Sequence, residues 1–169
     1  MSQSQARSDW VDEVVDKYAD MVYRIAFTQI KNKSDAEDIF QEVFLKLCKS
    51  DKVFETDEYV KAWLIRVTIN TCKKTFVSPW KQRRAEMPEK LPEHLIHEDK
   101  YEEDSELASI VGLLPEKYRV VIYLFYFEDM SVADIAETLN STASTVKSQL
   151  SRARGILRKK LEGRVDDVR

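Results

Sequence analysis

The sequence predicts an all-α protein of two small helical domains, a three- to four-helix bundle and then a helix-turn-helix, joined by a flexible acidic linker. Three observations carry that expectation. Only three glycines and four prolines stand among 169 residues, too few for the turns of a β-sandwich or for a Gly-rich nucleotide-binding enzyme. Apolar residues recur at three- and four-residue intervals, the period of a helix buried along one face. Where that period lapses, three of the four prolines (Pro79, Pro88 and Pro92) fall in an acid-dense stretch.

Val11, Val14, Val15, Tyr18, Val22, Ile25 and Ala26 form the stripe of a first helix, interrupted at Asn32 and Lys33. Ser34 followed three residues later by Glu37 reads as a capping-box start. The second helix then buries Ala36, Ile39, Phe40, Val43, Phe44 and Leu47. After a polar stretch at 50–57, a third helix turns Val60, Trp63, Leu64, Val67 and Thr71 inward. The composition of residues 78–104 cannot bury enough apolar surface to offset the cost of ordering, so this stretch reads as a linker. The domains are therefore expected at 9–77 and 105–162. In the second, Leu107, Ile110, Val111 and Leu114 form a short helix, and Pro115 suits the first turn of another over 116–127.

The pattern that follows is a helix-turn-helix. Ser131 with Asp134 caps a short helix presenting Val132, Ile135, Ala136 and Leu139. Asn140 tolerates the left-handed backbone that a tight bend between helices requires. Thr142 caps a second helix whose inward seam is Val146, Leu150, Ala153 and Leu157. Small Ala136 stands where two crossing helices need close approach.

Net charge is only −3, yet the charges are segregated. Residues 9–42 hold nine acids against four bases, and 86–106 hold nine acids against Lys90 and Lys100. Residues 59–85 carry seven bases and 138–161 carry six, with no acid in either run. Solvated helix faces explain many such runs, but two acid-free blocks suggest two polyanion-binding surfaces. Lys147, Ser148, Ser151 and Arg152 project together from the first turns of the last helix, where a helix-turn-helix meets base edges. Arg and Lys match guanine's major-groove acceptors, and Ser can bond several bases. Arg154, Arg158, Lys159 and Lys160 continue along the helix, where phosphate contact is expected. In the first domain, Asp35, Asp38, Gln41, Glu42 and Lys49 make a polar face on the second helix. Arg66, Asn70, Lys73 and Lys74 make a basic face on the third. Phe54 and Tyr59 flank the polar loop and either stack on an unpaired base or pack in the core.

These segments resemble a known family. Residues 36–44 (AEDIFQEVF) and 61–70 (KAWLIRVTIN) are similar to conserved region two of bacterial extracytoplasmic-function (ECF) sigma factors, of the sigma-70 family. Residues 114–119 (LPEKYR), 131–139 and 145–154 (TVKSQLSRAR) resemble region four, and the likeness runs from about 9 to 162 in the family's order. It implies a protein that joins core RNA polymerase and directs promoter recognition and transcription initiation. Asp35, Asp38, Gln41 and Glu42 would dock on the β′ clamp coiled coil, with the β flap as a second polymerase contact. The loop at 51–58, with Phe54 and Tyr59, would capture a flipped base of the minus-ten element. Arg66, Asn70, Lys73 and Lys74 would hold promoter backbone as the strands part. Thr145, Lys147, Ser148, Ser151, Arg152 and Arg154 would meet the minus-thirty-five element. An anti-sigma factor and a stress or envelope signal are further implications. Asn140, Ser141 and Gln149 depart from the family's usual residues and bear on which promoter is read.

Other classes fit less well. A stand-alone helix-turn-helix regulator with an N-terminal sensing or dimerisation bundle is the alternative, but it leaves the acidic helix face without a purpose. An enzyme is not expected: no nucleophile–base pair is legible, and no cofactor or metal is implied. His94 and His97 lack Cys partners and a Glu-x-x-His helix. Cys48 and Cys72 read as buried thiols of a reducing compartment. No apolar run approaches the ~18–20 residues of a membrane span, and residues 1–9 are polar, so the sequence reads as soluble and cytoplasmic, without a signal peptide.

Overall fold

The computed structural model describes residues 2–77 and 110–167, which divide into two compact units. The first holds α1 (Gln3–Ile30), α2 (Lys33–Lys49) and α3 (Asp57–Val77), and the second α4 (Glu116–Tyr126), α5 (Val132–Thr138) and α6 (Ala143–Asp167). All regular structure among the described residues is helical. The linker at 78–104, with His94 and His97, and Leu107 of the expected short helix lie outside the described residues. Of that helix, Ile110 and Val111 are seen in a helical turn, both buried with Leu114.

In the first unit the three helices pack on one another around Val22, Ala26, Ala36, Val43, Leu47, Leu64 and Ile65, all essentially sealed from solvent. The first helix is longer than its apolar stripe. It starts at Gln3, where the Ser2 hydroxyl accepts the Gln5 N–H (3.2 Å), and ends at Ile30, with Lys31 in the left-handed region at φ 60°. The cap of α2 is Asn32, not Ser34. Asn32 is extended and its side-chain oxygen accepts the Asp35 N–H at 3.0 Å, whereas Ser34 already lies within the helix. Asn32→Ala should therefore cost about 1 kcal/mol in urea unfolding followed by tryptophan fluorescence. Ser34→Ala should leave the midpoint unmoved, and the reverse ranking would restore the Ser34 cap.

The buried side of α3 is rotated from the expected stripe. Val60, Leu64, Ile65, Thr68, Ile69, Thr71 and Cys72 are buried, while Trp63, expected in the core, is only half-buried, as is Val67. Threonines survive inside because each hydroxyl bonds back to the preceding turn: Thr68 to the Leu64 carbonyl (2.6 Å) and Thr71 to that of Val67 (2.7 Å). Cys72 is buried as expected; Cys48 is exposed, because it lies off the apolar face of α2. Lys17 and Asp57 pair at 2.5 Å from α1 to the start of α3. That hydrogen bond, with Tyr18 nearby, raises the Lys17 ammonium above the ordinary lysine range. A raised lysine stabilises the fold at pH values below its ordinary range, and the effect fades only as pH climbs through the raised value. The titration of Lys17 therefore falls well above neutrality.

In the second unit Pro115 stands immediately before α4, its carbonyl accepting the N–H groups of Tyr118 (2.9 Å) and Arg119 (3.0 Å). The core gathers Val121, Ile122 and Leu124 of α4, Ile135 and Ala136 of α5, and Val146, Leu150 and Ala153 of α6. Arg119 is buried with them and reaches the Gly112 carbonyl (3.4 Å). Val132, Leu139 and Leu157, expected inward, are half-buried at the edge.

Candidate nucleic-acid interfaces and docking face

The bend between α5 and α6 is built from short polar contacts. The Ser131 hydroxyl accepts the Asp134 N–H at 3.1 Å, as the sequence indicates. At the far end of α5, Asn140 adopts φ 53° and the Ser141 N–H reaches the Ala136 carbonyl at 2.8 Å. Asn tolerates this left-handed conformation better than a β-branched residue would. Thr142 then caps α6: its hydroxyl accepts the Thr145 N–H (3.1 Å) and donates to the Thr145 hydroxyl (2.9 Å). Val146, Leu150 and Ala153 face the core, which leaves Thr145, Lys147, Ser148, Ser151 and Arg152 exposed together on the first turns. Arg158, Lys159 and Lys160 are exposed farther along.

Arg154 has a different place from the one expected of it. Its Nε donates to the Tyr126 hydroxyl at 2.6 Å, and its guanidinium lies 5.5 Å from the Phe125 ring centre and 5.6 Å from that of Tyr126. Two aromatic faces and a charge-assisted hydrogen bond hold it against the end of α4. Arg154 thus ties α6 to α4 within the second unit. The adjacent aromatic pair on α4 was the signal in the sequence, and the run of bases obscured it.

In the first unit, α2 exposes Gln41 and Glu42, with Asp38 half-buried beside them and Glu42 paired to Lys46 at 3.3 Å. Asp35 departs from the expected face. It is 8% exposed in the first turn of α2, where its backbone N–H meets the Asn32 cap. Sequence reasoning missed Leu45, 56% exposed and three, four and seven residues beyond Glu42, Gln41 and Asp38. An apolar side chain therefore joins the acidic face. Arg66, Asn70, Lys73 and Lys74 are all exposed on α3, as their spacing indicates.

In the loop before α3 the two aromatics differ, Phe54 packing and Tyr59 standing exposed. Phe54 stacks on Trp10 (5.8 Å between centroids, 18° between planes) and meets Trp63 edge-on (5.7 Å, 67°). Contacts with two indoles make it a packing residue of the loop. Tyr59 is 55% exposed, and Val53 beside Phe54 is 88% exposed. Arg7, outside the segment the sequence marked as a domain, binds this loop. Its guanidinium donates to the carbonyls of Ser50 (2.6 Å), Lys52 (3.0 Å) and Leu47 (3.4 Å), and lies 4.7 Å from the Trp10 ring centre.

Among the described residues no group of three or more His, Cys, Asp or Glu could hold a metal ion, and no helix is long and apolar enough to cross a membrane. A helix-turn-helix with a basic outward face, accompanied by a bundle with one acidic and one basic face, defines a modular all-α protein of the transcription-factor class. Residues 14–82 match the family model for Sigma-70 region 2, and residues 105–157 match that for Sigma-70, region 4. The chain is 34% identical over 138 residues to RNA polymerase sigma factor SigV of Bacillus subtilis (strain 168), covering 80% of this chain and 81% of that protein. It belongs to the sigma-70 family, as an alternative RNA polymerase sigma factor of the ECF type. ECF RNA polymerase sigma factor SigW of the same organism is 30% identical over 163 residues, covering 88% of this chain and 87% of that one. Two solved structures share the fold at 22% identity. One is the sigma factor RpoE in complex with the anti-sigma factor NepR from Bartonella quintana (TM-score 0.70, 91% of this chain and 97% of that). The other is CnrH in complex with the cytosolic domain of CnrY (TM-score 0.64, 94% of each).

Proposed function

We propose that this sigma factor divides its work among three surfaces. Gln41, Glu42 and Asp38 dock on a basic, coiled-coil element of core RNA polymerase. Thr145, Lys147, Ser148, Ser151 and Arg152 read the minus-thirty-five element in the major groove. The loop at 51–58, with Tyr59 beyond it, receives an unpaired base of the minus-ten element, and the basic face of Arg66, Asn70, Lys73 and Lys74 holds the region as it opens. The observation that carries this reading is the common exposure of the polar residues on the first turns of α6, behind a capped, left-handed bend. Phe54, Asp35 and Arg154 are left out of it: Phe54 packs on Trp10, Asp35 is buried, and the Arg154 Nε is bonded to Tyr126.

Opening a promoter needs no covalent chemistry from the chain. Capturing an unpaired base returns ~1–3 kcal/mol through stacking, which offsets an unpairing cost of a few kcal/mol. Two weak DNA contacts act together once polymerase fixes their spacing, because the second then binds at a high effective concentration. The chain acts in the cytoplasm, and an anti-sigma factor restrains it until a stress or envelope signal arrives. The complex of the sigma factor RpoE, a protein of the same fold, with the anti-sigma factor NepR supports that restraint.

The test is run-off transcription by core polymerase on a promoter library, with and without the chain. New transcripts from a discrete subset of promoters are expected only when it is present. Tight operator binding in a gel shift without polymerase, and no transcripts, would make it a stand-alone regulator instead. Arg152→Ala should weaken use of selected promoters by ~1–3 kcal/mol and relax preference at one minus-thirty-five position. Arg158→Ala should weaken all sequences alike and lower the salt dependence by about one phosphate's worth. Unchanged preference after Arg152→Ala would remove Arg152 from base readout.

A further inference from the structure

We infer that Arg7 and Trp10, on the first turns of α1, are positioning residues that hold the loop at 50–56 in the shape that receives an unpaired promoter base. The inference rests on the assignment of that loop to the minus-ten region. Both residues precede the segment matched by the region 2 family model, which begins at residue 14. Their contacts with the loop are nonetheless dense. Arg7 donates to two loop carbonyls, those of Ser50 and Lys52, and to that of Leu47 in the last turn of α2. The Leu47 carbonyl already accepts the Ser50 N–H (3.2 Å), so there the guanidinium adds a second donor and meets the negative end of the helix dipole. Trp10 supplies the second fastening. It carries the Arg7 guanidinium on its ring and stacks on Phe54, whose other contact is Trp63 of α3.

The loop is thus pinned by its backbone at 50 and 52 and by its one aromatic side chain at 54. Its regular secondary structure is nil, so these contacts take the place of a ladder or helix in fixing its course. What remains outward is Asp51, Lys52, Glu55, Thr56 and, above all, Val53, which is 88% exposed. A loop that must receive a base gains affinity by being ordered beforehand, because the ordering entropy is then not charged to binding. Arg suits the task because its fork reaches several carbonyls from fixed angles, whereas Lys offers one point charge.

The experiment uses the full chain in holoenzyme with core polymerase and a fork-junction DNA library. The duplex part holds a fixed minus-thirty-five sequence, and the single-stranded part is randomised over the minus-ten region. Wild type, Arg7→Ala, Arg7→Lys and Trp10→Ala are compared for base preference at each position, alongside melting temperature and affinity for core polymerase. Arg7→Ala is expected to reduce the strongest minus-ten preference about ten-fold, the scale of lost bonds from a charged donor. Preference at the minus-thirty-five element and affinity for polymerase should hold. Arg7→Lys should fall between, and Trp10→Ala should reproduce the loss. A merely structural role would instead lower the melting temperature and weaken every binding step together, which overturns the inference. Wild-type preference in a folded Arg7→Ala protein overturns it too, while leaving the loop's role intact. If wild type shows no preference for any unpaired base, the assignment of the loop itself falls, and the inference with it.

Discussion

Leu150→Ala is expected to cost the second unit about 2–5 kcal/mol, the range for truncating a buried leucine and leaving a cavity. Leu150 is 2% exposed on the inward seam of α6, between Val146 and Ala153, neither of which has any exposure. The described part of this unit spans only residues 110–167. A domain of that size has little stability in reserve, often no more than ~5 kcal/mol, so most of it would be lost. The chain's three tryptophans are Trp10, Trp63 and Trp80, none of them within residues 110–167, while far-UV circular dichroism sees the helices of both units. In urea, Leu150→Ala should shift part of the dichroism loss to lower denaturant and leave the tryptophan transition in place. Selection of minus-thirty-five sequences should vanish in the same variant, with affinity for core polymerase retained through α2. A single unshifted transition would mean that Leu150 does not hold α6 in place, and the recognition surface would lose its physical support.

The second unit was the more legible of the two, for a physical reason. Each of its signals is local. Ser131 caps three residues ahead, Asn140 bends the backbone at its own position, and Val146, Leu150 and Ala153 follow one helical period. In the first unit the errors arose where tertiary contact decides. Both Ser34 and Asn32 can cap, and only the path of the chain out of α1 selects Asn32. On α3 the stripe through Trp63 and Val67 misses the buried side, which passes through Ile65, Thr68 and Ile69; Thr68 reads as polar, yet its hydroxyl is satisfied by the Leu64 carbonyl and can be buried. Phe54 and Arg154 carry side chains suited to nucleic acid, and nothing within a few residues of either discloses the partner. Those partners are 44 residues away at Trp10 and 28 residues away at Tyr126. Arg7 was missed for the same reason, since a guanidinium that binds backbone carbonyls leaves no trace in side-chain periodicity.

Glu42→Lys should produce the largest loss of polymerase affinity among single changes on α2, about 2–5 kcal/mol if the carboxylate meets a desolvated basic partner. The expected effect on folding is small. Glu42 and Lys46 pair at 3.3 Å with half-exposed side chains, and such surface pairs contribute at most about 1 kcal/mol. Placing a lysine four residues before Lys46 adds a like-charge penalty of a few tenths of a kcal/mol. Stability and docking therefore separate in this variant. Titration of core polymerase should show affinity reduced by thirty-fold or more, on the arithmetic of ~1.4 kcal/mol per decade, at a melting temperature close to wild type. Leu45→Ala offers a charge-free companion: its side chain is 56% exposed beside Glu42, so its removal should weaken docking without altering the salt dependence. Asp35 cannot serve this purpose, because a carboxylate only 8% exposed at the capped start of α2 would report on the fold first. Wild-type affinity in a folded Glu42→Lys protein would move the docking face off α2, and the basic run of α3 would then have to be weighed as its replacement.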